Sequence, residues 1–567
     1  MFICIEQDSS CSVPVHTFTQ DARVETASRG CFSLIGGHLI WFVLYVGWIT
    51  ITLSFTVMAQ TSMTFHRGNI GEPDSLDPHL TTSGYSGNII FEMFVGLTAL
   101  DAFANIIPGA AHSWSIEQRG TVYTFYIRDG MQWSDGTAVR AADFEYAFKR
   151  ILDPRTASRA APMLYVIKNG REVNAGLAPL DTLAVRALDA STLEVRVHSP
   201  TPFFLELVAH RAFPVPRWTI EAHGRDWTRA ENIVVNGPFI LAEWNLHNYV
   251  RLIRNPLYFE ADNVTLSEVY YHPTENLAVS LKRYRAGELD MVISFPPSQL
   301  ELIKENMAAD LRISQNLGLE YFVFNTAKAP FDDKRVRQAL AMALDRVTLT
   351  GRVMRGGEKP AYSIVPPGSR STYGTYDPAY PSWMDWDMNK RRANAVELLA
   401  DAGFSKAKPL TFTFRYNTHE VHKRVAIAAA AMWKMIGVDV TIQNSELNVL
   451  NMDLRNGDYQ VARYQWFAEH RDPSTFLYLL ESGSIGDNHS KYSNPVFDSL
   501  LEQNYRSGDV EKRARFMHEA ERIAMEDMPL TPVNYYVSKR LVKPFVRGFQ
   551  DNVRGINRSH YVSIDRH

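Results

Sequence analysis

The sequence predicts an α/β protein with two or three lobes, and three observations support this prediction. The chain of 567 residues exceeds the length that one hydrophobic core usually serves. After residue 60, strand-like alternation and helix-like spacing of apolar residues follow each other irregularly, without a repeat. No low-complexity stretch or Pro/Ser-rich linker divides this part of the chain. We therefore expect lobes that are joined by several strands rather than by one tether.

Residues 1–59 are predicted to be a signal peptide or an N-terminal anchor. The twenty residues 39–58 carry no charge, and the run closes on Val57-Met58-Ala59. A cut after Ala59 would leave Val57 at position −3 and Ala59 at position −1, which fits a signal-peptidase site. Twenty apolar residues can also span a bilayer, so an uncleaved anchor is the alternative. Under either interpretation, residues 60–567 lie outside the cytoplasmic membrane.

Composition excludes several classes of function. The net charge is −3, whereas a nucleic-acid surface would need a basic excess. The three cysteines, Cys4, Cys11 and Cys31, all precede the apolar run. The rest of the chain therefore offers no thiol nucleophile and no cysteine ligand for a metal.

Residues 123–152 predict a strand, two turns and a helix. Apolar and polar side chains alternate up to Ile127, and Asp129-Gly130 then favours a turn. The motif Trp133-Ser134-Asp135-Gly136-Thr137 predicts a second, polar turn. The apolar residues that follow recur at helical spacing and end before Asp153-Pro154; they are Phe144, Ala147, Phe148 and Ile151.

The C-terminal half predicts three helices and a strand. One helix begins after Pro330-Phe331-Asp332-Asp333, with an apolar stripe at Val336, Leu340, Ala343 and Leu344. Residues 391–402 and 422–435 predict two further helices, the first of which ends at Gly403. Residues 438–442 predict a strand. We interpret all these apolar stripes as core.

The sequence lacks the motifs of common enzymes. It contains no G-x-S-x-G elbow, no phosphate-binding loop, no G-x-G-x-x-G and no C-x-x-C. His419-Glu420-Val421-His422 is H-E-x-H rather than the zinc motif H-E-x-x-H. These absences favour a binding protein over an enzyme and predict neither a metal nor a cofactor. An exported hydrolase with an unrecognised site and a chaperone-like protein are the alternatives from other classes.

Five motifs, in order along the chain, carry a resemblance to a known family. From about Asn69 to the C-terminus, the chain resembles the large periplasmic oligopeptide-binding proteins of ABC importers, which are family 5 extracellular solute-binding proteins. The motifs are Ser75-Leu76-Asp77-Pro78-His79, Trp133-Ser134-Asp135-Gly136-Thr137, Asn232-Ile233-Val234-Val235-Asn236-Gly237, Ala329-Pro330-Phe331-Asp332-Asp333 and Arg540-Leu541-Val542-Lys543-Pro544.

The resemblance implies a periplasmic-binding-protein-like fold of type II in its large three-domain form. Two lobes, domains I and III, would close over the ligand, and domain II would be an extra domain. The expected ranges are 60–98, 223–317 and 540–567 for domain I, 99–222 for domain II and 318–539 for domain III.

The resemblance also implies the function. The chain would be a monomer in the periplasm that captures an oligopeptide or peptide-like ligand and delivers it to a membrane ABC permease. A murein peptide, an amino-acid conjugate or haem are alternative ligands.

Site residues follow from the resemblance at matching positions. Glu469 stands where the family has an aspartate that pairs with the peptide's α-amine, and Arg463 resembles a cation that meets the peptide's carboxylate. Trp466 matches a pocket wall, and His422 matches a position that can meet the carboxylate of a longer peptide. The alternatives are surface ion pairs for the two charged residues, core packing for Trp466 and an ordinary helix-surface histidine. Further expected pocket residues are Asn88, Tyr321, Asn488 and Tyr536.

The chain departs from the family pattern at several pocket positions. Glu320 stands where an aromatic residue is common and would add a second carboxylate near Glu469. Gly318 and Phe467 replace a frequent disulfide pair. Ser86, Leu447 and Met354 replace a pocket glutamate, tryptophan and lysine, with Arg352 and Arg355 near the last of these. Ligand length and type therefore cannot be inherited from the resemblance.

Overall fold

The computed structural model describes residues 63–566 except 82, 372, 373 and 485. The predicted signal peptide or anchor lies outside the described residues. Among the helices that are described, none combines the length and the apolar character needed to cross a membrane.

The strands of the described part, in chain order, are β1 (Thr64–Asn69), β2 (Thr98–Leu100), β3 (Ile106–Pro108), β4 (Ala111–Glu117), β5 (Val122–Ile127), β6 (Val185–Ala187), β7 (Thr192–Arg196), β8 (Phe239–Asn245), β9 (Tyr249–Arg254), β10 (Glu268–Pro273), β11 (Met291–Val292), β12 (Leu311–Phe324), β13 (Lys359–Pro360), β14 (Arg370–Ser371), β15 (Gly374–Thr375), β16 (Leu410–Asn417), β17 (Val438–Ser445), β18 (Val461–Phe467), β19 (Leu530–Val542), β20 (Val546–Arg547) and β21 (Ser563–Ile564).

The α-helices of the same part are α1 (Gly84–Met93), α2 (Ala141–Leu152), α3 (Gly170–Asn174), α4 (Phe204–His210), α5 (Arg217–His223), α6 (Leu277–Arg285), α7 (Leu300–Asn306), α8 (Lys334–Met342), α9 (Arg346–Thr348), α10 (Met388–Asp401), α11 (Glu420–Lys434), α12 (Leu447–Asn456), α13 (Ser474–Leu477), α14 (Pro495–Arg506) and α15 (Val510–Asp527).

One sheet of eleven strands runs through both halves of the chain. Its order is β17-β16-β18-β12-β19-β11-β1-β10-β9-β8, and β13 also pairs with β19. The long strands β12 and β19 pair antiparallel over most of their length, with a shift of register between Gln315 and Leu319. They connect the two halves of the sheet by two strands. A separate sheet has the order β4-β5-β7-β6.

Two large apolar cores serve different parts of the described chain. The first gathers buried residues from Phe65 to Tyr271 together with residues near the C-terminus. The second gathers buried residues from Leu317 to Tyr535. The first core continues without a break through residues assigned by the sequence to domain I and to domain II. The three-domain division therefore stays a prediction.

The strongly periodic elements are confirmed, and their ends are set by capping side chains. Strand β5 and helices α2, α8, α10 and α11 all occur where the sequence predicts them. Helix α10 begins three residues earlier than the predicted start at 391, because the Asp387 carboxylate accepts the N–H groups of Asn389 and Lys390. Strand β17 continues three residues beyond the predicted end at 442, because it pairs in parallel with β16 as far as Ser445.

Two of the sequence motifs form buried hydrogen bonds to other parts of the chain. In the first, the Asp77 carboxylate is buried and accepts two hydrogen bonds from Arg150, at 2.9 and 2.6 Å, and one from Trp227 Nε1 at 3.0 Å. In the second, predicted as a polar turn, Trp133 is fully buried, and its Nε1 donates to Asp143 at 3.2 Å. Both motifs therefore position the elements around the first core.

Candidate functional site

Strand β18 carries three of the predicted pocket positions, Arg463, Trp466 and Phe467, and places them on two faces of the sheet. Alternate residues of a strand point to opposite faces of the sheet. Arg463, Gln465 and Phe467 share one face, and the antiparallel register with β12 places Gln465 opposite Glu320. Trp466 lies on the other face, where it packs edge-on against Tyr478 with ring centroids 5.5 Å apart.

A buried hydrogen-bond network surrounds Arg463, whose side chain is 2% exposed. One terminal nitrogen donates to Asn417 Oδ1 at 3.1 Å. The other contacts Glu320 Oε2 at 2.9 Å and the oxygens of Gln465 and Tyr536 at 2.7 Å each. The Tyr536 hydroxyl in turn lies 3.0 Å from Glu320 Oε2 and 2.7 Å from Gln465 Oε1. The guanidinium predicted to meet a ligand carboxylate is thus bound to carboxylate, amide and hydroxyl groups of its own chain.

The two charges of this network stabilise each other against burial. Burial raises the pKa of Glu320, but the charge and hydrogen bond of Arg463 outweigh it and leave that pKa below its usual value. Burial lowers the pKa of Arg463, but Glu320 and Tyr536 together raise it above its usual value. Both groups are therefore ionised at neutral pH. Glu320, predicted as a second carboxylate near Glu469, forms its ion pair with Arg463.

His422 lies within electrostatic reach of this pair. Burial, followed by the charge of Arg463, lowers the pKa of His422 to about 4, while Glu320 and a hydrogen bond to the backbone of Asn417 act in the opposite direction. The ring is therefore neutral at pH 7. It lies 4.5 Å from the ring of His419, measured between centroids.

Glu469 lies just beyond β18 on a backbone that is held on both sides. Its N–H donates to Thr475 Oγ1 at 3.2 Å, and its carbonyl accepts from Arg554 at 2.9 Å. Its Oε2 pairs with Arg211 at 3.2 Å, and the two side chains keep 33% and 22% of their surfaces exposed. A carboxylate can accept several hydrogen bonds at once, so Glu469 retains capacity for a second cation.

The segment that carries Glu469 is also fastened to residues near α4. The His470 ring stacks on Phe203 with centroids 3.8 Å apart, and the Arg471 N–H donates to Glu206 Oε2 at 3.0 Å. Glu206 also pairs with Arg554 at 3.3 Å. These contacts fix the position of the Glu469 backbone relative to α4 and Arg211.

The remaining predicted site residues lie in different surroundings. Phe467 is 42% exposed and packs against Tyr536, and its ring fills the space that a side chain at Gly318 would need. Tyr321 is buried beside Tyr464. Their ligand roles stay predictions.

Two predicted asparagines are bonded within the chain. Asn88 Nδ2 donates to Asn69 Oδ1 at 3.1 Å, in the first half of the chain. Asn488 Nδ2 donates to the carbonyls of Glu481 and Tyr492, which organises its own loop. The structure therefore gathers Arg463, Glu320, Tyr536, His422 and Phe467 in one place and leaves the asparagines apart from them; their ligand roles also stay predictions.

Sequence reasoning missed three participants: Arg211, Asn417 and Gln465. Gln465 was visible as the residue between Arg463 and Phe467 on one strand face. Arg211 gave no signal, because it lies 258 residues from its partner Glu469 along the chain.

Comparisons with known proteins give one consistent family. Residues 105–488 match the model of bacterial extracellular solute-binding proteins, family 5 Middle. The periplasmic oligopeptide-binding protein OppA of Salmonella typhimurium is 37% identical over 498 residues, which cover 87% of this chain and 91% of that protein.

Solved structures agree with this match. The unliganded open form of the periplasmic murein tripeptide-binding protein MppA superposes with a TM-score of 0.79 at 34% identity, over 89% of this chain and 98% of that one. Haemophilus influenzae OppA in complex with RPPGFSPFR gives a TM-score of 0.73 at 33% identity, over 89% and 99% of the two chains. The predicted fold class and the resemblance that implied it are confirmed.

Proposed function

The chain belongs to family 5 of the bacterial extracellular solute-binding proteins, and from this premise we propose that it captures a peptide with a free amine and delivers it to an ABC importer. It would do so in the periplasm, as a monomer that contacts a membrane permease. It would bind its ligand without chemical turnover. The names of the relatives support a peptide-like ligand, since one is called oligopeptide-binding and another murein tripeptide-binding.

The proposal rests on one observation, the partly exposed carboxylate of Glu469. An ammonium group enclosed between two lobes loses its hydration and needs a carboxylate nearby. Glu469 offers a partly exposed carboxylate on a fixed backbone, at the position where the resemblance places an amine-binding acid. The ligand's ammonium would bind the carboxylate beside Arg211 or in place of it.

Identification of the bound ligand tests the proposal. We expect protein purified from the periplasm to release a short amine-bearing peptide in stoichiometric amount, identified by mass spectrometry. Small-angle scattering should show a smaller radius of gyration with that peptide than without it, because the lobes close by hinge motion. A ligand without an amine would contradict the role of Glu469, and hydrolysis of the peptide by the purified protein would favour an enzyme.

A further inference from the structure

The surroundings of Arg463 do not offer the net positive charge that a ligand carboxylate would need. Arg463 contributes one positive charge, Glu320 cancels it at 2.9 Å, and the neighbouring His422 is neutral. Both terminal nitrogens of the guanidinium already donate to protein oxygens. A carboxylate placed here would meet a neutral cluster that contains a buried carboxylate of its own.

Three buried polar atoms of this cluster have no hydrogen-bond partner among the described residues. They are Glu320 Oε1, His422 Nδ1 and Arg463 Nε. Glu320 Oε1 is a carboxylate oxygen and can only accept. His422 Nδ1 can accept or donate, according to the tautomer of the neutral ring. The unpaired atoms therefore include one fixed acceptor, Glu320 Oε1, and one fixed donor, Arg463 Nε.

Buried polar groups are normally paired, and leaving one unpaired destabilises the structure or the complex that contains it. A ligand group suited to this cluster supplies an N–H donor for Glu320 Oε1 and an oxygen for Arg463 Nε. A carboxamide has this composition, and so does the backbone of a peptide that continues beyond the cluster. A carboxylate has no donor and adds a negative charge beside Glu320.

We infer that this cluster binds an uncharged, N–H-bearing group of the ligand rather than a free carboxylate, and that Glu320 sets this specificity. The inference rests on the proposed function, since it concerns the other end of the ligand whose amine meets Glu469. Arg463 then acts as a positioning residue that holds Glu320, Gln465 and Tyr536 in place.

Matched peptides test the inference by calorimetry on the exported protein. The probes are trialanine and tetra-alanine, each with a free amine and each prepared as the free acid and as the C-terminal carboxamide. The wild type should bind the carboxamide of the better-bound length at least about threefold more tightly than the acid, since only the carboxamide can donate to the buried Glu320 Oε1. Equal binding, or tighter binding of the acid, would overturn the inference without touching the role of Glu469.

Glu320→Gln tests the residue itself. This change keeps the shape of the side chain and removes its charge, so that Arg463 becomes an uncompensated cation. The ratio of acid to carboxamide affinity should rise by about tenfold or more, because charged partners bind more strongly than neutral ones. Glu358→Gln is the matched control; Glu358 pairs with Lys539 at 3.3 Å and makes none of the contacts described around Arg463.

The outcomes separate the two proposals. A ratio that changes less than about threefold in Glu320→Gln would show that the carboxylate meets another cation, such as Arg352, and would exclude Glu320 as the determinant. Should the variant fail to fold, the comparison of acid and carboxamide on the wild type still decides the inference. Failure of every alanine peptide to bind the wild type would count against the proposed function, and the inference would fall with it.

Discussion

The two ion pairs at the site differ in burial and in the number of groups that hold them. Arg463 and Glu320 are 2% and 4% exposed and share a network with Asn417, Gln465 and Tyr536. Arg211 and Glu469 keep 22% and 33% of their surfaces exposed and meet through a single contact of 3.2 Å. The first pair is therefore buried and held by several groups, whereas the second is partly exposed and is the pair that we propose exchanges a partner with the ligand.

This difference follows from where the partners lie in the fold. Glu320 and Arg463 lie on paired strands of one sheet, so their separation is fixed by the backbone register. Arg211 follows α4, and Glu469 follows β18, so the second pair depends on how two separate segments meet. A charge that must release its partner to receive a ligand is better placed in the second arrangement.

Breaking the two pairs should have very different effects on stability. Glu320→Ala leaves Arg463 buried without a counter-charge, and such changes cost about 3–5 kcal/mol. Arg211→Met keeps much of the apolar stem and breaks a partly exposed pair, which is worth about 0.2–1 kcal/mol. Urea unfolding of the two variants, followed by tryptophan fluorescence, measures the difference. Equal losses in the free energy of unfolding would contradict the division between a structural and an exchangeable pair.

Removing the charge of Glu469 should weaken ligand binding more than it weakens the fold. Glu469→Gln keeps the shape of the side chain but removes the charge that would pair with the ligand's enclosed ammonium. The loss of one partner of such a buried ion pair typically costs about 2–5 kcal/mol of binding free energy. N-acetylation of an alanine tripeptide or tetrapeptide deletes the same interaction from the ligand side. Calorimetry on the four combinations should therefore give losses that do not add.

Additive losses in that cycle would place the ligand's amine elsewhere. Glu320 was the next carboxylate suggested by the sequence, and its unpaired Oε1 is an acceptor that an ammonium group could also use. The same cycle repeated with Glu320→Gln would distinguish the two carboxylates.

The sequence predicted the elements of the fold better than the partners of the site residues. Periodicity located β5, α2 and α8, because local side-chain patterns follow the geometry of one element. Periodicity gave no prediction for β18, which carries Arg463 and Phe467. It did not predict the ion pair with Glu320, which depends on the register between β12 and β18 and joins residues 143 positions apart.

The motif around Trp133 shows that a correct local prediction does not reveal burial. Its polar residues predict a turn, and Gly136 does adopt a positive φ of 85°. The same pattern gave no indication that Trp133 itself is fully buried. Burial depends on which distant elements cover a residue, and a local pattern does not contain that information.

Arg211→Met should have a smaller effect than the changes at Glu320 and Glu469, and this effect is on the affinity for the peptide. In the proposed complex, the ligand's ammonium competes with Arg211 for Glu469 or shares the carboxylate with it. Removing the guanidinium removes a competing cation and also a like charge near the ammonium, so amine-bearing peptides should bind more tightly. Because partly exposed pairs contribute about 0.2–1 kcal/mol, the expected gain is at most about fivefold. Calorimetry with one alanine peptide at low and at high salt should show a gain in affinity that shrinks as salt rises.

The N-acetylated peptide is the control, and its affinity should not change. A loss of affinity would instead show that Arg211 holds Glu469 in the orientation that the ligand requires, and the second pair would then be structural as well.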